Sequence, residues 1–242
     1  MENPRVDELQ KIAVIVPTYN EKENIARLLS EIFIVAPRVS VFVVDDNSPD
    51  GTATLVNSLL GKFSNLRLIN RQKKEGLGKA YLFVFNEILK NHDFETIITM
   101  DADFSHNPAY LPKMIELRRD FDLVIGSRYV AGGRTIGWET WRRGLSYFAN
   151  LYCRLILRTP VRDNTSGFLA VKAALLRQID FSQLDFSGYA FTVGLKYLLL
   201  KQHATFTELP IVFKNRVGGE SKISNHIIKE GIASPWKMIR KK

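Results

Sequence analysis

Past a charged N-terminal stretch, short apolar runs alternate with segments of helical spacing. "KIAVIVP" (11–17) is a β-branched run, and "EKENIARLLSEIFIVA" (21–36) places Ile25, Leu28, Leu29 and Ile32 on one helical face. "VSVFVVDD" (39–46) predicts a second strand, and "GTATLVNSLLGKF" (51–63) a helix that Asp50 or Thr52 can cap. A third strand at "LRLIN" (66–70), a helix at "GKAYLFVFNEILKN" (78–91) and a fourth strand at "TIITMDAD" (96–103) continue the alternation. "PAYLPKMIELRR" (108–119) reads as helical despite Pro112, and "FDLVIGSR" (121–128) as a fifth strand. Strands that are apolar nearly throughout, separated by amphipathic helices, predict an α/β fold. Its central sheet is mostly parallel and covered on both faces.

From about residue 134 the strict alternation stops. "RTIGWETWRRGLSYFANLYCRLILRTP" (134–160) holds an amphipathic helix with Arg142, Arg143, Arg154 and Arg158 among aromatics and leucines. "DNTSGFLAV" (163–171) is a turn-rich strand entry, "GYAFTVGLKYLLLKQ" (188–202) an apolar helix, and "TFTELPIVF" (205–213) a strand. "ISNHIIKEGIASPWKMIRKK" (223–242) predicts a terminal helix that can break at Pro235. With no internal repeat and no low-complexity linker, residues 1–222 form one expected domain, and 223–242 a basic amphipathic helix or tail.

Composition narrows the function classes. A chain of 242 residues with 45% hydrophobic content can bury a large core. The single cysteine, Cys153, excludes an internal disulfide and a cysteine-rich metal site, and it fits a reducing compartment. "MENPRVDELQK" lacks the apolar core of a secretory peptide. No run approaches the roughly 18 apolar residues of a membrane span. The net charge of +9 is concentrated in "VFKNRVGGESK" (212–222) and "SPWKMIRKK" (234–242), which favours polyanionic partners such as nucleic acid, phosphate-bearing substrates or an anionic membrane.

The strand ends carry the chemistry. They read "PTYNE", "DDNSPDG", "RQKKEGLGKA", "DADFSHNP" and "GSRYVAGG", and ligands of a parallel sheet sit beyond such ends. Asp101 and Asp103 stand two apart where an apolar strand finishes. Carboxylates that close repel unless a cation lies between them, and an all-oxygen set suits Mg2+ or Mn2+ rather than zinc. The first strand–helix turn, "PTYNEKEN", has no glycine, which rules out the dinucleotide fingerprint, and no P-loop motif occurs anywhere. Asp46 can accept hydrogen bonds from a base or ribose.

"VPTYNE", "VDDNSPDGT", "GLGKAY", "MDADFSHNP", "GSRYVAGG", "DNTSGF", "GYAF" and "RVGGESK" occur in this order across residues 12–222. In these motifs the chain resembles the dolichol- and polyprenol-phosphate mannose synthases, inverting GT-A glycosyltransferases of family 2. The resemblance implies that Pro17, Tyr19, Glu21, Val44 and Asp46 hold the nucleoside of GDP-mannose. It implies that Asp101 and Asp103 carry Mg2+ or Mn2+ on the diphosphate beside Ala102, with Ser105 at a third ligand position where a hydroxyl is the weaker ligand. Arg128, Arg142 and Ser146 match the grip on the lipid phosphate, and Arg216 and Lys222 a basic loop that closes over the donor. Asp103, Arg128 and Arg142 are thereby the expected catalytic residues. The implied partners are GDP-mannose, a dolichyl or polyprenyl phosphate and a membrane surface, reached directly or through an anchoring subunit. The expected location is peripheral, on the cytoplasmic face, with no nucleic acid bound.

Two positions depart from that pattern. Relatives commonly carry an acid where this chain has Gly194, and an arginine near Leu169. A sugar-hydroxyl acceptor needs a general base, whereas an ionised phosphate needs none, so the missing acid favours a phosphate acceptor. The alternatives are another donor such as UDP-glucose, a transferase acting on a glycan hydroxyl, and a non-catalytic basic module. The closing segment, with Ile227, Ile228, Ile232, Trp236, Met238 and Ile239 among lysines, suits either an anionic leaflet or a core helix with a basic end.

Overall fold

The computed structural model describes residues 11–215 and 225–240, with side chains from residue 230 onward in the second segment. Seven strands form the main sheet: β1 (Ile12–Thr18), β2 (Ser40–Asp45), β3 (Leu66–Asn70), β4 (Thr96–Thr99), β5 (Leu123–Ser127), β7 (Leu169–Lys172) and β8 (Phe206–Pro210). Their order is β3-β2-β1-β4-β7-β5-β8. Every neighbouring pair is parallel except those of β7, which runs antiparallel to both β4 and β5. Alternation along β1 explains why it is apolar throughout. Ile12, Val14 and Val16 enter the core on one face of the sheet, and Ala13 and Ile15 the core on the other.

Helices α1 (Lys22–Val35), α2 (Thr52–Leu59), α3 (Leu77–Asn91) and α4 (Leu111–Leu117) follow the first four strands. In α1 the buried residues include Ile25, Leu28, Leu29 and Ile32, the stripe that the spacing predicts. The segment expected as one helix at 108–119 is a 3₁₀ turn, Pro108–Tyr110, leading into α4. Pro112 sits in the first turn of α4, where its missing N–H leaves no intrahelical bond unmade.

Several expected boundaries differ. The fourth strand stops at Thr99, so Asp101 to Asp103 lie in the loop beyond it. "TFTELPIVF" is two strands: β8 in the main sheet, and β9 (Val212–Lys214) paired parallel with β6 (Arg134–Ile136), itself read as the approach to a helix. Gly133, just before β6, folds against the end of β5; a Cβ there would lie 2.5 Å from the Ser127 carbonyl oxygen.

Helix α5 (Thr140–Leu157) is amphipathic, and only Asn150, Cys153 and Leu157 are buried in it. After β7 comes a single turn, α6 (Ala173–Leu176), and then α7 (Gly188–Lys201). The last helix, α8 (Asn225–Arg240), packs on α5 and α7 and continues through Pro235 without breaking. Tertiary contacts on both sides hold that turn together. Tyr152 donates to the Ile232 carbonyl at 2.8 Å, Trp236 Nε1 donates to Tyr152 Oη at 2.8 Å, and Ser234 and Met238 are buried. Among the described residues no helix is long and apolar enough to cross a membrane.

Gly194 explains how α8 sits so close. A Cβ at that position would meet Leu184, Met238 and Phe186 at 3.1–3.4 Å, so any larger side chain here requires these neighbours to shift. We expect Gly194→Glu to bury a carboxylate among these apolar side chains and to destabilise the protein by about 2 kcal/mol or more. Thermal unfolding checks this, and an unchanged midpoint would show that α8 is not packed as described.

Candidate active site

The rim where the parallel strands end brings several predicted residues together. Beyond β4 the chain turns sharply. Phe104 adopts a left-handed backbone (φ 60°), and Asp103 Oδ1 accepts from the Ser105 N–H at 3.1 Å. Asp101, Asp103 and Ser105 line a cavity of about 20 Å³ with Arg128, Arg142, Thr165 and Tyr189. That volume holds little more than one water-sized occupant. Ser105 Oγ is buried and has no hydrogen-bond partner among the described residues, so the cavity contains two carboxylates and a hydroxyl with no bond there. Such a hard-oxygen set fits Mg2+ or Mn2+ with further ligands from a substrate phosphate. Among the described residues no group of three His, Cys, Asp or Glu side chains is placed to hold a metal alone.

Against this cavity lies a second, of about 310 Å³, between α5, α7 and α8. Leu145, Phe148, Ala149, Cys153, Ala190 and Val193 give it an apolar lining, and Ser146 lies along it. Arg128, Arg142, Thr165 and Tyr189 line both cavities and so form the wall between them. Glu230 of α8 closes one side: its carboxylate accepts from the Ser187 N–H at 2.8 Å and from the Ser187 hydroxyl, capping α7.

Arg128 is not the free phosphate fork that its residue type suggests. Its Nε and Nη2 donate to Asp163 at 2.8 and 2.6 Å, its backbone N–H donates to the same carboxylate at 2.9 Å, and Nη2 also reaches Thr165 Oγ1 at 2.7 Å. These bonds use Nε and Nη2 and leave Nη1 outside the pairing with Asp163 and Thr165. Burial opposes both charges of the pair. Even so, Asp163 raises the Arg128 pKa, and Arg128 holds that of Asp163 below the usual carboxylate range. Glu208 fixes the loop by accepting from the Arg162 and Asp163 N–H groups at 2.8 and 2.9 Å. Beneath it the fully buried Lys196 donates to the Ser166 carbonyl at 2.6 Å, and burial pulls its pKa to about 7. Arg142 is tethered more lightly, stacking 4.3 Å from the Trp138 ring centroid and donating to Asn215 Oδ1 at 3.1 Å.

The expected nucleoside residues lie elsewhere on the rim. Pro17 pairs with Val44 across β1 and β2, and Asp46 binds Arg71 through a buried ion pair of 2.5 Å. The Lys74 ammonium lies 3.7 Å from the Tyr19 ring centroid, and Glu21 accepts from Asn24 at 3.1 Å. Neither cavity includes these residues, whereas Ala102 is buried in the aspartate loop. Arg216 and Lys222 lie outside the described residues. Gly194 faces Phe186 and Met238 and lines neither cavity, so an acid there would not reach the reacting groups. Leu169 is fully buried in β7.

Residue-type reasoning assigned no role to Asp163, Thr165, His106, Arg71 or Lys196. Asp163 and Thr165 stand inside quoted motifs, but their partner Arg128 comes from a distant part of the chain; His106 bonds within its own motif, to the Asp101 main chain, through a turn that residue type does not reveal. A lone lysine in an apolar helix carries no signal of what it touches.

Comparison with known proteins places the geometry in a family. Residues 13–180 match the family described as "Glycosyl transferase family 2". The chain is 36% identical over 238 residues to an undecaprenyl-phosphate mannosyltransferase of Micrococcus luteus, covering 95% of this chain and 98% of that protein. It is 38% identical over 225 residues to a polyprenol monophosphomannose synthase of Mycolicibacterium smegmatis, covering 92% and 84%. A mannosyltransferase from Pyrobaculum calidifontis, solved with GDP-Man and Mn2+, shares the fold with a TM-score of 0.64 at 19% identity, covering 96% of this chain and 65% of that one. With its mostly parallel sheet of GT-A type and the family match over most of its length, the chain belongs to glycosyl transferase family 2.

Proposed function

We propose that this protein transfers mannose from GDP-mannose to a polyprenyl phosphate with inversion at the anomeric carbon. The observation that carries this reading is the apolar cavity of about 310 Å³ that meets the aspartate cavity at Arg128 and Arg142. A lipid phosphate has both parts such a site needs: an apolar chain for the lining and an anionic head for the arginines. The named relatives, which act on undecaprenyl phosphate or make polyprenol monophosphomannose, support it.

Asp101 and Asp103, with Ser105, would hold Mg2+ or Mn2+, which would supply charge stabilisation to the departing diphosphate. Arg142 and Nη1 of Arg128 hold the acceptor phosphate at the wall between the cavities, charge-assisted and directional. One phosphate oxygen forms the new bond to the anomeric carbon as the bond to GDP breaks. The electron pair leaves with GDP, and an α donor becomes a β product. The nucleophile is already ionised, so no side chain need remove a proton. On the donor side, Pro17, Tyr19, Glu21, Val44 and Asp46 receive the nucleoside, and the proposal assigns Arg216 and Lys222 the neutralisation of the diphosphate.

The lipid acceptor requires a membrane nearby. Trp141, Phe148 and Leu155 of α5, with Ile232, Trp236 and Ile239 of α8, are exposed on the two helices that border the apolar cavity, and Arg143, Arg154, Lys237 and Arg240 lie on the same helices. This surface supports peripheral attachment to an anionic leaflet.

Purified protein with a short polyprenyl phosphate, a panel of nucleotide sugars, and Mn2+, Mg2+ or chelator tests the reaction. Metal-dependent polyprenyl-phosphate mannose from GDP-mannose is expected; turnover of UDP-glucose instead would replace the donor. Arg142→Ala should lower turnover about a hundredfold or more with an unchanged unfolding midpoint. Arg128→Ala should cost at least as much turnover and also destabilise the protein by about 3–5 kcal/mol, because Asp163 is left buried and unpaired. Wild-type turnover in either variant would remove that arginine from the mechanism. Phe148→Ser should weaken cosedimentation with anionic vesicles about tenfold, since a buried aromatic contributes about 1.5–3 kcal/mol; equal binding would place the membrane face elsewhere.

A further inference from the structure

His106 is buried and polar, and the proposed reaction gives it no task. Its Nδ1 accepts a hydrogen bond from the Asp101 backbone N–H at 2.9 Å, five residues earlier in the chain. The ring stacks on Phe168 with centroids 4.9 Å apart at 18°, and Phe213 meets it edge-on at 5.6 Å. Both aromatics come from outside the loop: Phe168 ends the "DNTSGF" segment and Phe213 lies in β9. The imidazole is thus clamped from two sides while it holds the first aspartate of the pair by its main chain.

This arrangement matters because β4 has already ended. Beyond Met100, whose N–H donates to the Ile15 carbonyl at 3.0 Å, the sheet no longer fixes the backbone. Asp101 begins a loop with a left-handed residue at Phe104, and two short-range bonds replace the ladder. The Ser105 N–H binds the side chain of Asp103, and His106 binds the main chain of Asp101. Nδ1 is the acceptor in this bond, and the Asp101 carboxylate lies 3.8 Å from the same nitrogen.

We infer that His106 is a positioning residue that preorganises Asp101 and Asp103 for the divalent cation of the donor complex. The inference rests on the reading that these aspartates hold that cation. Groups one step behind a metal ligand commonly govern affinity by about 10–100-fold, because without them the ligands must be ordered at the moment of binding. The two requirements on the side chain are separable. His106→Phe keeps an aromatic ring for Phe168 but loses the acceptor. His106→Asn loses the ring but can place a carbonyl oxygen where Nδ1 stands. His106→Gln carries the same amide one methylene further out, beyond that position.

The test titrates Mn2+ into protein with GDP and follows the free-ion signal by electron paramagnetic resonance, so no turnover is needed. Wild type, H106F, H106N, H106Q and D101N are compared, each first checked for a cooperative thermal transition. We expect H106F and H106Q to weaken Mn2+ binding about 10–100-fold and H106N to stay close to wild type. D101N should lose binding at least as fully as H106F. Should H106F fail to fold, the H106N and H106Q pair still decides the question. Full Mn2+ affinity in H106F or H106Q alongside loss in D101N would overturn the role of His106 and leave the aspartate site standing. Undiminished affinity in D101N would overturn the site reading itself. In turnover, H106F should raise KM for the nucleotide sugar and leave KM for the lipid phosphate unchanged, a split that general destabilisation would not produce.

Discussion

A buried ion pair ties the working parts together. Arg128 follows β5 directly, Asp163 opens the loop before β7, and three hydrogen bonds join them in the dry interior. Each charge alone would be costly to bury, so the pair forces the two segments into one geometry. Glu208 from β8 and Lys196 from α7 bind the same loop from other directions. The wall between the two cavities stands where it does because this network does.

The reversed strand makes the network possible. Since β7 runs against its neighbours, its beginning rather than its end lies at the rim with the ends of β4 and β5. Thr165, Ser166 and Gly167 are thereby delivered next to Asp101 and Asp103 although more than sixty residues separate them in sequence. The proposed metal site and the proposed acceptor site then share a boundary made by Arg128, Arg142, Thr165 and Tyr189. In-line displacement needs that proximity, because the reacting atoms must meet while the lipid and the nucleotide stay apart.

The main strands were legible because a strand buried on both faces is apolar along its interior, as Ile12–Val16 of β1 and Val41–Val44 of β2 are. Asp101 and Asp103 stood out because carboxylates at the end of such a strand have no packing role, and the structure brings them to one cavity. Strand direction was not legible, since β7 is as apolar as its parallel neighbours. Nor was the division of "TFTELPIVF", where Pro210 ends one strand and Val212 starts another with no loop between. Pro235 suggested a break, but burial of Ser234 and Met238 and the Tyr152 contacts outweigh the local cost. In the site, Arg128 and Arg142 stood out by type, but their surroundings depend on Asp163 and Asn215, from distant segments. That Gly194 lies against Leu184, Phe186 and Met238 could not be read from its motif.

The internal pairing of Arg128 also separates two kinds of electrostatics by their response to ionic strength. Exposed cations on α5 and α8 act across water and weaken as the screening length shrinks from about 10 Å at 0.1 M salt to about 3 Å at 1 M. The Arg128–Asp163 pair has little water around it for mobile ions to occupy, with side-chain exposures of 4% and 0%. On the proposed function, rising salt would therefore detach the protein from a charged bilayer well before it disturbed the Arg128–Asp163 pair. In a detergent-dispersed or water-soluble acceptor, the same chemistry would persist under conditions that abolish it on a membrane.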